Sequence, residues 1–81
     1  MDIPHPKPDV SLDCSWQLCP VPVLMTEEKM PDLKKGAVLE VVFTDRGAKA
    51  DLEAWCRMNG HELLGFSDEK MKSSAYIRKN Q

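Results

Sequence analysis

No stretch of this 81-residue chain approaches the roughly 20 consecutive apolar residues that a membrane-spanning helix requires, so no span is expected. Aromatic residues are scarce, at 6%, and there is no excess of positive charge: 11 Lys and Arg stand against 13 Asp and Glu, a net charge of −2. A nucleic-acid surface displaces counterions with clustered cations and stacks bases on rings, so direct nucleic-acid binding is not expected. Metal-ligand spacing is lacking too. Zinc sites draw on paired, closely spaced cysteines or matching histidines. Here Cys14, Cys19 and Cys56 are accompanied only by the isolated His5 and His61. Neither a metal nor an organic cofactor is expected. The opening "MDIPHPKPDV" has neither the charged start nor the apolar stretch of a secretory signal. Residues 1–8 read as a flexible, proline-stiffened leader, and the cytoplasm, where thiols stay reduced, as the compartment.

What is present suits one small domain, residues 9–81. An apolar share of 42% with 30% charged residues supports a single modest core. "DVSLDC" alternates Val10, Leu12 and Cys14 against polar neighbours, the period of a half-buried strand. Val23, Leu24, Met25, Met30 and Leu33 allow a helix from Pro22 to Leu33 whose last turn Pro31 should end or distort. "AVLEVVF" (37–43) is almost continuously apolar and β-branched, which predicts a central strand. Asp45 is a candidate N-cap for a second helix with Ala48, Leu52, Trp55 and Cys56 on one face and Gly60 at its end. "HELLGFS" and "SSAYIRK" are two further strands. Strand-helix-strand units close right-handed. The order β-α-β-α-β-β therefore predicts an α+β fold, a two-layer α/β sandwich with two helices on one face of a four-stranded mixed sheet.

"SWQLCPVPV" places Cys19 directly before two prolines one residue apart, where the chain can neither pair as a central strand nor run as a helix interior. If Cys19 is an N-cap, Pro20 falls at N1 and Pro22 at N3, positions whose missing N–H groups are no loss. Val21 then keeps a free amide near the sulfur. Alternatively the helix starts at Pro22, because Val21 precedes a proline, and Cys19 occupies a rigid loop just ahead of it. In both placements the helix N-terminus is expected to lower the thiol pKa from about 8.5 towards neutrality. The bland reading of Cys19 is a small buried hydrophobe.

The segments "LDCSWQLCPVP", "GAVLEVVFTDRGAKADLEAWCRMNGHELL" and "YIRK" resemble the TusA/SirA family of small sulfur carriers, in the same element order and across Leu12 to Lys79. The Cys-Pro-x-Pro core stands in register with Asp13, Asp45, Asp51 and the Gly60-His61 pair. The resemblance implies the same two-layer sandwich. It further implies that Cys19 accepts a sulfane sulfur as a persulfide and passes it on, with Pro20, Val21 and Pro22 supporting it. A cysteine desulfurase, rhodanese or similar protein would be the donor, and a second protein the acceptor. Two departures stand out: Trp16 replaces a usual glycine, and Glu27 and Glu28 replace residues that are often basic.

Other residues carry open readings. Trp16 should hold an ordinary φ, and its indole either anchors a docking partner or folds inward over the core. Glu27 and Glu28, placed in the first turns of the helix, either select a partner with a basic surface or are simply solvated. Inward packing is preferred for Cys14, a resolving thiol being the alternative, and Cys56 reads as core. His61 reads as a surface or capping residue, Asp13 and Asp45 as caps, and Met25, Met30, Met58 and Met71 as core or gap fillers. From another class of function, the chain would be a protein-binding module with Cys19 unused.

Overall fold

The computed structural model describes residues 7–81, so the leader expected over 1–8 lies outside the described residues except for its last two positions. The elements run β1 (Val10–Cys14), α1 (Val21–Lys29), a short 3-10 turn (Met30–Asp32), β2 (Val38–Phe43), α2 (Ala48–Asn59), β3 (Glu62–Asp68) and β4 (Ser73–Arg78). The sheet order is β1-β2-β4-β3, with β1 parallel to β2 and the other pairs antiparallel. This is the expected α+β sandwich. The near-continuous apolarity of 37–43 belongs to β2, which has a neighbour on each side.

Period-two alternation divides the sheet into two faces. Val10, Leu12 and Cys14 lie opposite Leu39, Val41 and Phe43, which continue across β4 to Ile77 and Ala75. These residues join one core with Leu52, Trp55 and Cys56 of α2 and with Met30 and Leu33 after α1. The intervening residues make a polar face. Ser11 Oγ donates to Glu40 Oε1 (2.9 Å), Tyr76 Oη to Glu40 Oε2 (3.0 Å), and Arg78 pairs with Glu62 (3.0 Å).

The two helices end for different reasons. In α2, Gly60 takes φ 75°, the left-handed region that glycine enters without a Cβ clash, and its N–H closes on the Cys56 carbonyl. In α1 the expected helix over 22–33 is divided. Pro31 has no N–H to continue the ladder, and the chain tightens into the 3-10 turn at Met30–Asp32. Two carbonyls at this turn are met from across the domain: Lys79 Nζ donates to Met30 O (2.8 Å), which also accepts the Leu33 N–H (3.0 Å), and to Leu33 O (2.6 Å). A cation at a helix C-terminus also complements its dipole.

Four local expectations are corrected. The N-cap of α1 is Pro20, so Val21 is N1 and Pro22 is N2. Glu27 and Glu28 consequently fall in the last turn of a nine-residue helix, not its first. The N-cap of α2 is Gly47, not Asp45. Asp45 instead accepts the Gly47 N–H through Oδ2 (3.1 Å), bracing the turn that precedes the helix. Met30 is core and Met25 packs beside it, but Met58 and Met71 are exposed.

Candidate functional site

The segment from Ser15 to Pro20 connects β1 to α1 and is shaped by short-range bonds. Asp13 Oδ1 accepts the Ser15 N–H (2.9 Å), and the Gln17 N–H closes a turn on Cys14 O (3.2 Å). Within that turn Trp16 has φ 68°, contrary to the ordinary φ expected of it. Its N–H donates to Thr44 Oγ1 (2.9 Å), so tertiary anchoring holds a conformation that glycine would adopt more cheaply. The ring does not fold inward. Trp16 is 66% exposed, beside the exposed Leu18 and Met71.

The next turn presents Cys19. The Val21 N–H donates to Leu18 O (2.8 Å), and the Cys19-Pro20 peptide is cis. The amide of Val21 is therefore occupied, contrary to the free donor expected near the sulfur. Pro20 carries its carbonyl into the first turn of α1, accepting from Val23 (3.1 Å) and Leu24 (3.2 Å). Pro22 is buried, and its carbonyl takes the hydroxyl of the fully buried Thr26 (2.8 Å).

Of the three cysteines, Cys19 alone is exposed; Cys14 and Cys56 are buried at 0% and 2% exposure. Burial pushes both interior thiols up to about 11. The inward placement expected of Cys14 and Cys56 holds.

Cys19 has a neighbour that its local sequence does not reveal. Its thiol donates a hydrogen bond to Asp51 Oδ2, from the first turn of α2. A methyl group built on Gly47 would lie 3.1 Å from Asp45 Oδ2 and 3.7 Å from Cys19 Sγ, so sulfur and both carboxylates share one small space. The thiol is pushed up to about 11, chiefly by the hydrogen bond to Asp51, then by desolvation and the charges of Asp51 and Asp45. The lowering expected from the helix N-terminus is not found. The starts of α1 and α2 both favour an anion, but the carboxylates are closer and act on the sulfur directly.

Two shallow depressions flank this point. One runs between the helices, with Pro20, Val23, Glu27, Asp51 and Met58 on its walls. The other holds Trp16, Leu18 and Met71 with Asp45, Arg46 and Lys70. The expected pair Glu27 and Glu28 is thereby split. Glu28 lines a separate recess with Leu12, Met25 and Asp32. His61 is structural: its ring stacks on Trp55 (5.2 Å between centroids) and its Nδ1 accepts the Asn80 N–H (3.2 Å). Among the described residues no group of three or more His, Cys, Asp or Glu side chains is arranged to hold a metal ion.

The family model for the sulfurtransferase TusA matches residues 10–79. The chain belongs to the TusA family. It is 44% identical over 73 residues to the Bacillus subtilis protein YrkF, covering 90% of this chain but only 40% of YrkF. It is 46% identical over 63 residues to YrkI of the same organism, covering 78% and 84% of the two chains. Against the sulfur carrier protein TusA of Pseudomonas entomophila, identity is 38% over 71 residues, or 88% of this chain and 89% of that one. The fold matches the crystal structure of a SirA-like protein from Desulfitobacterium hafniense with a TM-score of 0.77 at 18% identity, covering 89% of this chain and 99% of that one.

Proposed function

We propose that this TusA-family protein is a sulfur carrier that accepts a sulfane sulfur as a persulfide on Cys19 and delivers it to an acceptor protein in the cytoplasm. The carrier unit is the single domain of residues 9–81. The observation that carries this reading is the exposure of Cys19 at the head of α1, with the other two thiols sealed in the core. A carrier sulfur must be reached by two different proteins in turn, and only Cys19 meets that condition.

The chemistry is thiol exchange. The Cys19 thiolate attacks the outer sulfur of a donor cysteine persulfide, and a new S–S bond forms as the donor S–S bond breaks. The donor cysteine leaves as a thiolate and takes up the proton Cys19 released. One thiol and one persulfide give one thiol and one persulfide, so no external oxidant enters. The second transfer repeats the step with the Cys19 persulfide as donor. Pro20, Val21 and Pro22 hold the turn that presents the sulfur, and Trp16 and Glu27 flank the approach.

Incubating the reduced protein with a cysteine desulfurase and labelled cysteine tests this reading. Gain of one sulfur on the Cys19 peptide, absent from Cys19→Ser, is the expected result. An unlabelled protein that still binds the desulfurase would instead make the domain a binding module with its cysteine unused.

A further inference from the structure

A nucleophile for thiol exchange gains from being ionised, yet this one donates its proton to a carboxylate. The contact is between elements: Cys19 lies ahead of α1 and Asp51 lies in the first turn of α2, 32 residues later. Asp45 is drawn into the same space by its bond to the Gly47 N–H. Among the described residues the ion pairs are Lys29–Asp32, Lys49–Asp68 and Arg78–Glu62, so neither Asp45 nor Asp51 forms one, although Arg46 and Lys70 line the depression that holds Asp45. Glu27 adds a third carboxylate on the wall it shares with Asp51.

We propose that Asp51 restrains Cys19, keeping the thiol protonated and oriented in the free protein, and that a sulfur donor releases it by bringing a cation against Asp51 and Asp45. The inference rests on the sulfur-carrier reading. Its physical basis is that forming the thiolate removes the only proton between sulfur and carboxylate oxygen and sets two negative charges in contact. A partner's Lys or Arg at Asp51 reverses both effects: it occupies the carboxylate that accepted the S–H and offsets the charge facing the sulfur. Exposed in the free protein, Cys19 is then least reactive where reaction with small oxidants would waste it.

The test is the pH dependence of Cys19 alkylation, mapped by peptide, in the wild type, Asp51→Asn and Asp45→Asn. Asp51→Asn keeps the shape but removes the charge. Its inflection should fall by at least about one unit, raising the thiolate fraction at pH 7.5 about tenfold per unit and the rate by about three-fold or more, with a smaller fall for Asp45→Asn. A merely structural role for Asp51 would not lower the inflection, because loosening the start of α2 weakens the field that favours an anion. An unchanged or higher inflection in Asp51→Asn overturns the restraint. Asp51→Ser, which also lacks the charge, decides the matter should the amide variant fold poorly. Sulfur loading by a cysteine desulfurase is then followed against salt. Loading of Asp51→Asn should depend less on salt than loading of the wild type, and an equal dependence overturns the cation's part. Wild-type loading with an unmoved alkylation profile defeats the restraint alone, whereas an unloaded Cys19 with a shifted profile defeats the carrier reading alone.

Discussion

Replacing Trp16 by alanine and by glycine should reverse the usual order of the two residues. In most places glycine is less stable than alanine by about 0.5–1 kcal/mol, because it has more freedom to lose. At Trp16, however, φ is 68°. A residue with a Cβ in the left-handed region carries about 1–2 kcal/mol of strain that glycine does not. The difference leaves Trp16→Gly more stable than Trp16→Ala by about 0.5–1 kcal/mol. Loss of the ring costs both variants equally. With the residue 66% exposed, a third of a roughly 250 Å² side chain is about 80 Å². At about 25 cal/mol per Å² that is at most about 2 kcal/mol, part of it belonging to the backbone. Urea unfolding of the three proteins, compared at constant m, measures both quantities. A glycine variant less stable than the alanine variant would refute the strained turn. A loss of about 3–5 kcal/mol in either would show that the indole is core after all. If the ring instead anchors a docking partner, both variants should transfer sulfur more slowly while remaining folded.

Charge reversal at the two glutamates should now give different results. Glu27→Lys, beside Asp51, should slow loading and change its salt dependence, whereas Glu28→Lys, in a separate recess, should not; equal effects in both would exclude site-specific steering. Cys14 and Cys56, buried and held at about 11, should resist alkylation at neutral pH until urea unfolds the chain, and rapid labelling of either in the native protein would contradict their placement. Lys79→Met should destabilise by about 1–3 kcal/mol, since it strips two carbonyls of a charged donor, and thermal unfolding that matches the wild type would show those bonds to be dispensable. Burial, then the charge of Lys79, hold the His61 imidazole below its ordinary 6.5, so the unfolded chain binds the proton more readily and stability falls as pH drops below that value; His61→Gln should flatten the decline.

The parts of the fold that were legible in the sequence are those where periodicity and burial agree. Ala48, Leu52, Trp55 and Cys56 share a helical face and are all buried, and the alternation of Val10, Leu12 and Cys14 matches the core side of β1. The start of α1 was harder to place, because two prolines within three residues satisfy several cap positions equally well. Moving the cap by one residue changed what the Val21 amide does, and the glutamates proved to be at the other end of the helix. The position of Cys19 ahead of α1 was legible, but its ionisation was not. Helix-terminus arguments use neighbours in sequence, whereas the group that dominates Cys19 arrives from α2. The one available signal was Asp51 itself, an acid in the first turn of α2, where a carboxylate favours the dipole. Trp16 carried a signal as well, since the glycine that the resemblance implies there would mark a φ that other residues hold only under constraint.

The geometry around Cys19 also bears on direction. A carrier that bound sulfur at a strongly activated thiolate would accept it readily from any persulfide within reach, including the wrong one. A thiol held by Asp51 is a weaker nucleophile in isolation, so selectivity passes to whatever docks across the two depressions beside it. Those surfaces differ in character. Trp16, Leu18 and Met71 make one wall apolar, with Arg46 and Lys70 set beside Asp45, whereas Glu27 and Asp51 make the wall between the helices acidic. A donor and an acceptor that rest on different walls would meet the same sulfur in different fields. On the carrier reading, the one that brings a cation to Asp51 promotes thiolate and acts as donor; once sulfur is loaded, the acceptor would attack the outer sulfur of the Cys19 persulfide, with Cys19 itself as the leaving group. In that second step the departing Cys19 thiolate faces Asp51, whose charge raises the leaving thiol's pKa and slows departure, so an acceptor also gains from a cation brought to Asp51. On the carrier reading, the same Asp51 contact therefore opposes both unassisted loading and unassisted release, and leaves each step to a partner that carries a cation.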